Sequence, residues 1–273
     1  MQNGLKISNS EYRKMDGVSS TELKQLLKTP AHYKYWKEHA DELCTQSLLF
    51  GKAAHKYILE TYDFYNEFAV APNFDKRTKE GKAQYLLFCD QSEGKDIITQ
   101  EQFEQIDAMR TMAYSTPFVS KLLSGEKELS FFGVDEETGL KIKARPDCIT
   151  DFNGEHILID FKTCTNAENT KFYRDSIKFA YDLQLAMYRA ILKQNTGHDY
   201  KVVIIATEKT APYVTNVFQL SEEYLKGGEE LYKEMLRVYK ECSDSGNWYG
   251  YMKDGISILG QPDDEDMEEG DDD

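Results

Sequence analysis

The chain has 273 residues, 40% of them hydrophobic and 12% aromatic, which is enough to bury one substantial core without requiring a second. Its net charge of −15 is the wrong sign for a protein that coats nucleic acid, but nine of those charges fall in the last thirteen residues and the remainder carries only −6. Five scattered cysteines with no C-x-x-C pair indicate neither a disulfide framework nor a zinc site and disfavour an iron–sulfur cluster, and the most apolar uninterrupted stretch, Val202 to Ala206, is far too short to span a membrane.

In chain order, Ser19-x-x-Glu22 has the spacing of a capping box, and Leu23, Leu26 and Leu27 follow at helical spacing until Pro30. Residues 31–40 and 47–60 continue as helices, the second carrying Leu49, Ala53, Tyr57 and Ile58 near one face and His55 within it. Further helices are expected over 79–90 and 100–114, the latter between a Thr99 cap and Pro117. Strands then dominate. Residues 129–134, 140–150 and 156–162 are expected to form a three-stranded antiparallel meander. A helix over 177–194, strands over 201–207 and 213–220 and a closing helix over 221–242 complete the order.

This alternation predicts an α/β or α+β fold with a mixed central β-sheet flanked by helices, as a single domain over residues 1–260. Residues 261–273 form an acidic extension too charged to fold alone. It serves either solubility or docking to a basic partner, or competes for a DNA channel. With no signal-peptide core at the N-terminus, a soluble, intracellular protein is expected.

The most informative segment lies in the meander. Asn153-Gly154 is the strongest two-residue hairpin signal, and with those residues as the loop, facing pairs sum to 307, which sets Asp147 opposite Asp160. Facing carboxylates repel, so the pair is destabilising unless a cation intervenes. Lys162, two residues beyond Asp160, points to the same face. Ile157, Leu158, Ile159 and Phe161 make that strand apolar on both faces, so Asp160 and Lys162 interrupt a buried strand. Two carboxylates and an ammonium around one point are what a metal-dependent phosphodiester-cleaving centre needs. The plainer alternative is an ordinary cross-strand ion pair between Asp147 and Lys162. Pro146, which cannot donate to a ladder, marks an edge or a bulge that would shift this register.

In the following helix, Tyr181, Gln184 and Tyr188 share one stripe, facing either the core or a cleft. Basic residues cluster at Lys24, Lys28, Lys34 and Lys37, at Lys76, Arg77, Lys79 and Lys82, and at Lys141, Lys143 and Arg145. These are either solvated faces or the lining of a phosphate channel, with Arg77, Lys82, Lys143 and Arg145 the candidate DNA contacts.

With Pro146-Asp147, Asp160-Phe161-Lys162, and Gln184 and Tyr188 in hand, the chain resembles the PD-(D/E)xK nuclease superfamily, with its restriction-endonuclease-like core. More closely, it resembles the RecE-type exonucleases (exonuclease VIII) of phages and prophages. Val18-Ser19-Ser20, Thr29-Pro30-Ala31-His32-Tyr33, Phe50-Gly51-Lys52-Ala53-Ala54-His55, Ala71-Pro72-Asn73-Phe74, Arg77-Thr78 with Gly81-Lys82, and Arg145 extend the similarity from about Ile7 to Tyr251.

The resemblance implies an ATP-independent exonuclease that degrades the 5′-ended strand of linear double-stranded DNA. The 3′ overhangs left behind would serve a single-strand annealing protein of RecT type. It implies a homo-oligomeric ring in the cytoplasm of a bacterial host, phage- or prophage-encoded and without a membrane. Asp147, Asp160, the backbone carbonyl of Phe161 and His55 would hold Mg²⁺, with Mn²⁺ able to substitute and two ions per site. Lys162 would position or deprotonate the attacking water, Gln184 and Tyr188 would support substrate and water, and Glu60 is a further acidic neighbour. A different PD-(D/E)xK endonuclease or repair nuclease, or a catalytically silent DNA-end-binding module, are the competing readings.

Overall fold

The structure is a computed structural model that describes residues 4–39 and 45–252. The acidic extension expected over 261–273 lies outside the described residues.

The N-terminal half is mostly helical: α1 (Asn9–Lys14), the short strand β1 (Val18–Ser19), α2 (Ser20–Leu26), α3 (Pro30–His39), α4 (Gln46–Leu59), α5 (Phe64–Glu67), β2 (Phe68–Ala71), α6 (Lys79–Gln91), β3 (Asp96–Thr99), α7 (Gln100–Ser115) and α8 (Pro117–Leu122). The other half holds β4 (Glu126–Lys127), β5 (Phe131–Val134), β6 (Lys141–Ala144), β7 (Cys148–Phe152), β8 (Glu155–Cys164), α9 (Asn169–Lys178), α10 (Tyr181–Thr196), β9 (Lys201–Glu208), β10 (Thr215–Gln219) and α11 (Glu222–Ser245). Both expected caps form. Glu22 Oε2 accepts from the Ser19 N–H at 2.9 Å, and Thr99 Oγ1 accepts from the Gln102 N–H at 3.1 Å.

The largest sheet has the order β10-β9-β8-β7-β4, with β8 and β9 parallel and the other neighbours antiparallel. Strand β8 sits at its centre, as its two apolar faces require. Ile157, Ile159 and Phe161 pack on one side with Ala54 and Ile58 of α4 and Ile106 and Met109 of α7. Leu158 packs on the other with Leu183 and Ile191 of α10 and Leu225 and Leu236 of α11. Each such side chain contributes roughly 1.5–3 kcal/mol on burial, so β8 is anchored from both sides. At Gly228, α11 lies so close to α10 that a Cβ would come 2.2 Å from the Asp182 carbonyl oxygen. That contact packs the first turn of α10 directly on α11.

The Asn153-Gly154 turn is as expected. Both residues have positive φ, 53° and 82°, and the ladder runs from Phe152↔Glu155 to Cys148↔Ile159 in the predicted register. The meander, however, is not one sheet. Residues 140–150 are broken at Arg145-Pro146-Asp147 into β6 and β7, and β6 joins β1 and β5 in a separate three-stranded sheet. Pro146 lacks the N–H that a continuous ladder would use, so the chain changes sheets there. The helix expected over 177–194 is also divided. Helix α9 ends at Lys178, Ala180 adopts left-handed φ 48° and ψ 54°, and α10 begins at Tyr181. Strands β2 and β3, a parallel pair, were not expected from the sequence.

Candidate active site

Three strands set the site. The β4–β7 pairs Glu126↔Ile149 and Lys127↔Cys148, carried one residue further, place Glu128 beside Asp147, and the Glu128 N–H donates to the Asp147 carbonyl at 3.3 Å. The β7–β8 register, carried one residue past Cys148↔Ile159, places Asp147 beside Asp160. Asp147 Oδ2 also accepts the Phe161 N–H at 2.6 Å. Glu128, Asp147 and Asp160 therefore form a row of carboxylates across the sheet. Asp147 is 7% exposed and Asp160 only 1%.

Such a row is stable only if each carboxylate meets a positive group. His55, carried by α4, places Nε2 2.7 Å from Asp147 Oδ2 and Nδ1 3.5 Å from Glu128 Oε1. Arg145 Nε donates to Glu128 Oε2 at 2.6 Å, and Lys162 Nζ lies 2.6 Å from Asp160 Oδ2. With His55 protonated, three cations balance three carboxylates. Burial alone would pull His55 down, but Asp147 and then Glu128 outweigh it and hold the imidazole up at about 9. Burial pushes Glu128 and Asp160 upward. For Asp147 the same penalty is overcome by His55 and Lys162, and its carboxyl is held below the ordinary value.

The opposite side of Asp160 is built by α10 and α2. Gln184 Nε2 donates to Asp160 Oδ1 at 3.0 Å, while its Oε1 accepts from Lys24 Nζ at 2.7 Å. Gln184 is thereby held so that its donor faces the carboxylate. The Tyr181 ring lies under both ammonium groups, 4.8 Å from Lys162 Nζ and 5.2 Å from Lys24 Nζ. Burial, then the neighbouring Lys162 charge, pushes Lys24 down to about 7, whereas Asp160 and Asp147 outweigh burial at Lys162 and keep it firmly charged. A charged Lys162 can position a water or a phosphate oxygen but cannot accept a proton. Tyr188 is buried and its hydroxyl bonds Ser20, so it supports the α2–α10 junction.

Other expected residues lie elsewhere. Lys143 is 5% exposed, and its ammonium donates to the carbonyls of Tyr12, Arg13 and Met15, closing the C-terminal end of α1. It is not a free DNA contact, because burial and those three acceptors occupy it. Arg145 is committed to Glu128. Arg77 is exposed and paired with Asp75 at 3.0 Å, Lys82 is exposed on α6, and neither lines the cleft that opens on His55 and Asp147. That cleft, of about 980 Å³, is instead bordered by Arg13, Lys14 and Lys52. Glu60 also lines it but is held by Lys6 and Lys56, each at 2.8 Å.

Sequence reasoning missed Glu128 and placed Lys24 only in a basic cluster. Ligand atoms of His55, Glu128 and Asp147 all lie within 4.8 Å of one another, the one such grouping of metal-ligating side chains among the described residues. Carboxylate oxygens with an imidazole suit Mg²⁺ or Mn²⁺, and the Asp147 and Glu128 oxygens that face His55 converge with it on one point. The residues present fit a divalent ion.

No curated protein matches the chain in sequence. Among solved structures, one from Eubacterium rectale, provisionally named an exonuclease, aligns at TM-score 0.61 and 14% identity over 95% of this chain and 96% of that one, and so shares its fold. A second, SSO0001, aligns at TM-score 0.41 and 11% identity over 84% of this chain and 81% of that one, too distant to carry an argument. Residues 19–253 match the family described as a PDDEXK-like domain of unknown function (DUF3799), so the row of Glu128, Asp147 and Asp160 with Lys162 beside it belongs to a chain that is a member of that PDDEXK-like family.

Proposed function

We propose that the protein is a Mg²⁺-dependent, ATP-independent exodeoxyribonuclease of RecE type, acting 5′-to-3′ on linear double-stranded DNA and leaving 3′ overhangs for annealing-type recombination. The observation that carries this reading is the carboxylate row flanked by His55 and Lys162, whose Glu128–Asp147 end, with His55, lines a cleft bordered by Arg13 and Lys14. Asp147, Asp160, the Phe161 carbonyl and His55 would hold the metal, with Glu128 added to that set by its place beside both His55 and Asp147. A bound divalent ion, or a pair of them, would lower the pKa of a coordinated water and neutralise charge on the phosphate.

The protein's own groups do the rest. In hydrolysis a water oxygen bonds to phosphorus, the P–O3′ bond breaks, and the water's proton ends on the departing 3′ oxygen. Lys162, kept charged by Asp160, stabilises the negative charge that accumulates on the phosphate oxygens. Gln184, oriented by Lys24, fixes Asp160. We extend the proposal to a homo-oligomeric ring, to a partner of the RecT annealing class and to the cytoplasm of a bacterial host.

The test is digestion of linear duplexes labelled at the 5′ or the 3′ end, beside closed circular duplex, with Mg²⁺ or with EDTA. Mg²⁺-dependent release of the 5′ label first, with circles left intact, is expected. Rapid cutting of circles would turn the reading to an endonuclease, and early release of the 3′ label would reverse the polarity.

A further inference from the structure

The break between α9 and α10 places two aromatic rings at the edge of the site. Phe179 caps α9 and is 50% exposed, and Tyr181 opens α10. Their rings stack, with centroids 5.9 Å apart and planes 26° apart. Behind Tyr181 the aromatic run continues into the core. Phe172 lies 6.1 Å from Tyr181 and stacks on Phe218 at 4.7 Å with planes 3° apart. Three members of the run are backed by protein; Phe179 turns a large apolar surface to solvent. Tyr181 also lies under Lys162 and Lys24, so the open end of the run is one ring removed from the ammonium next to Asp160.

The backbone is held in an uncommon conformation to achieve this. Ala180 is 3% exposed and left-handed, although nothing but a hydrogen occupies the Cα of the residue type that adopts this region freely. Continuing the helix through Phe179 and Ala180 would remove the kink, so packing around the break must hold it. Strained non-glycine residues concentrate at functional sites. A half-exposed phenylalanine stacked on the tyrosine that lies under Lys162 has the composition of a single-strand binding platform, in which a cation meets the backbone and an aromatic face meets the base.

We propose that Phe179, backed by Tyr181, is a stacking platform for the unpaired base adjoining the phosphate to be cut. The inference rests on the nuclease reading above and adds to it the state of the substrate: the terminal nucleotide is taken out of the duplex stack before cleavage. Sequence tolerance follows, because every base offers a π face.

The experiment compares wild type, Phe179→Ala and Phe179→Trp on linear duplexes that are intact or carry an abasic residue at one of the first three positions from the digested end. On intact DNA, Phe179→Ala should lower kcat/KM about 5- to 150-fold, the range for loss of one base–aromatic stack, while Phe179→Trp stays near wild type. At one abasic position, wild type should lose the same factor and Phe179→Ala nothing further. A Phe179→Ala loss below about 2-fold on intact DNA, or an equal loss on every abasic substrate, overturns the platform. Unchanged cleavage with altered self-association would make the patch a subunit contact and likewise overturns it. A parallel reading in EDTA uses duplex with terminal 2-aminopurine, whose fluorescence should be quenched by wild type and not by Phe179→Ala. Quenching without any cleavage in Mg²⁺ would sink the nuclease reading while leaving the platform standing, and cleavage without quenching would do the reverse.

Discussion

Lys162 and Asp160 give the sharpest test of how the site is held together. Lys162→Met removes the ammonium 2.6 Å from a carboxylate that is 1% exposed and already feels the Asp147 charge. Asp160 then keeps the Gln184 amide and, further off, Lys24. Leaving one partner of a buried pair uncompensated costs about 3–5 kcal/mol. Lys162 is 19% exposed, and Asp160 can take up a proton because burial already raises its pKa, so the lower end, about 3 kcal/mol, is expected. For a chain of this size that corresponds to a fall in Tm of roughly 6–12 °C. The double variant Asp160→Asn/Lys162→Met removes both charges and should recover to within about 1 kcal/mol of wild type, because no unpaired charge is left behind. Both variants should lack nuclease activity. Thermal unfolding followed by circular dichroism in EDTA, with end-labelled digestion on the same preparations, reads both quantities. A single variant that melts within about 2 °C of wild type, or a double variant no more stable than the single, would refute the claim that the pair is a buried, mutually dependent unit.

Metal capture should release protons. His55 is held at about 9, so at pH 7.5 the metal-free imidazole carries a proton that a ligating nitrogen cannot keep. Titration calorimetry with Mn²⁺ in two buffers of different ionisation heat should differ by about one proton's worth; identical heats would contradict the assignment. Glu22 gives an acid-stability prediction. Burial raises its carboxyl, but Lys37 at 2.6 Å and Ser19 outweigh that and the folded value is lowered, so its contribution is complete above the unfolded value near 4.5 and is lost as pH falls through the folded one. Glu22→Gln should cost about 1–2 kcal/mol at pH 7 and much less below pH 3; a constant difference across that window would count against it. Lys143→Met should destabilise the fold by about 1–3 kcal/mol while leaving the salt dependence of DNA binding unchanged. A reduction of about one unit in that slope would make Lys143 a phosphate contact after all.

The hairpin that positions Asp147 and Asp160 was legible because Asn153-Gly154 dictates its own backbone, and a two-residue loop leaves one register. The breaks were not. Pro146 announced an interruption but not that β6 would leave for another sheet, a choice made by pairing with Val18 and Ser19 far away in the chain. Phe179-Ala180-Tyr181 holds neither glycine nor proline, and alanine is the best helix former, so only the packing of α9 and α10 reveals the kink. Glu128 escaped notice because β4 is two residues long and has no period to read. Lys143 looked available because charge says nothing of burial, and Lys24 looked like a surface residue until Gln184 was placed across from it.

That last contact joins residues 160 positions apart, and His55, Glu128, Asp147 and Asp160 enter from separate stretches between them. No half of this polypeptide can assemble the centre, and a chain still leaving the ribosome has no means of cutting until the α10 segment has been synthesised and docked.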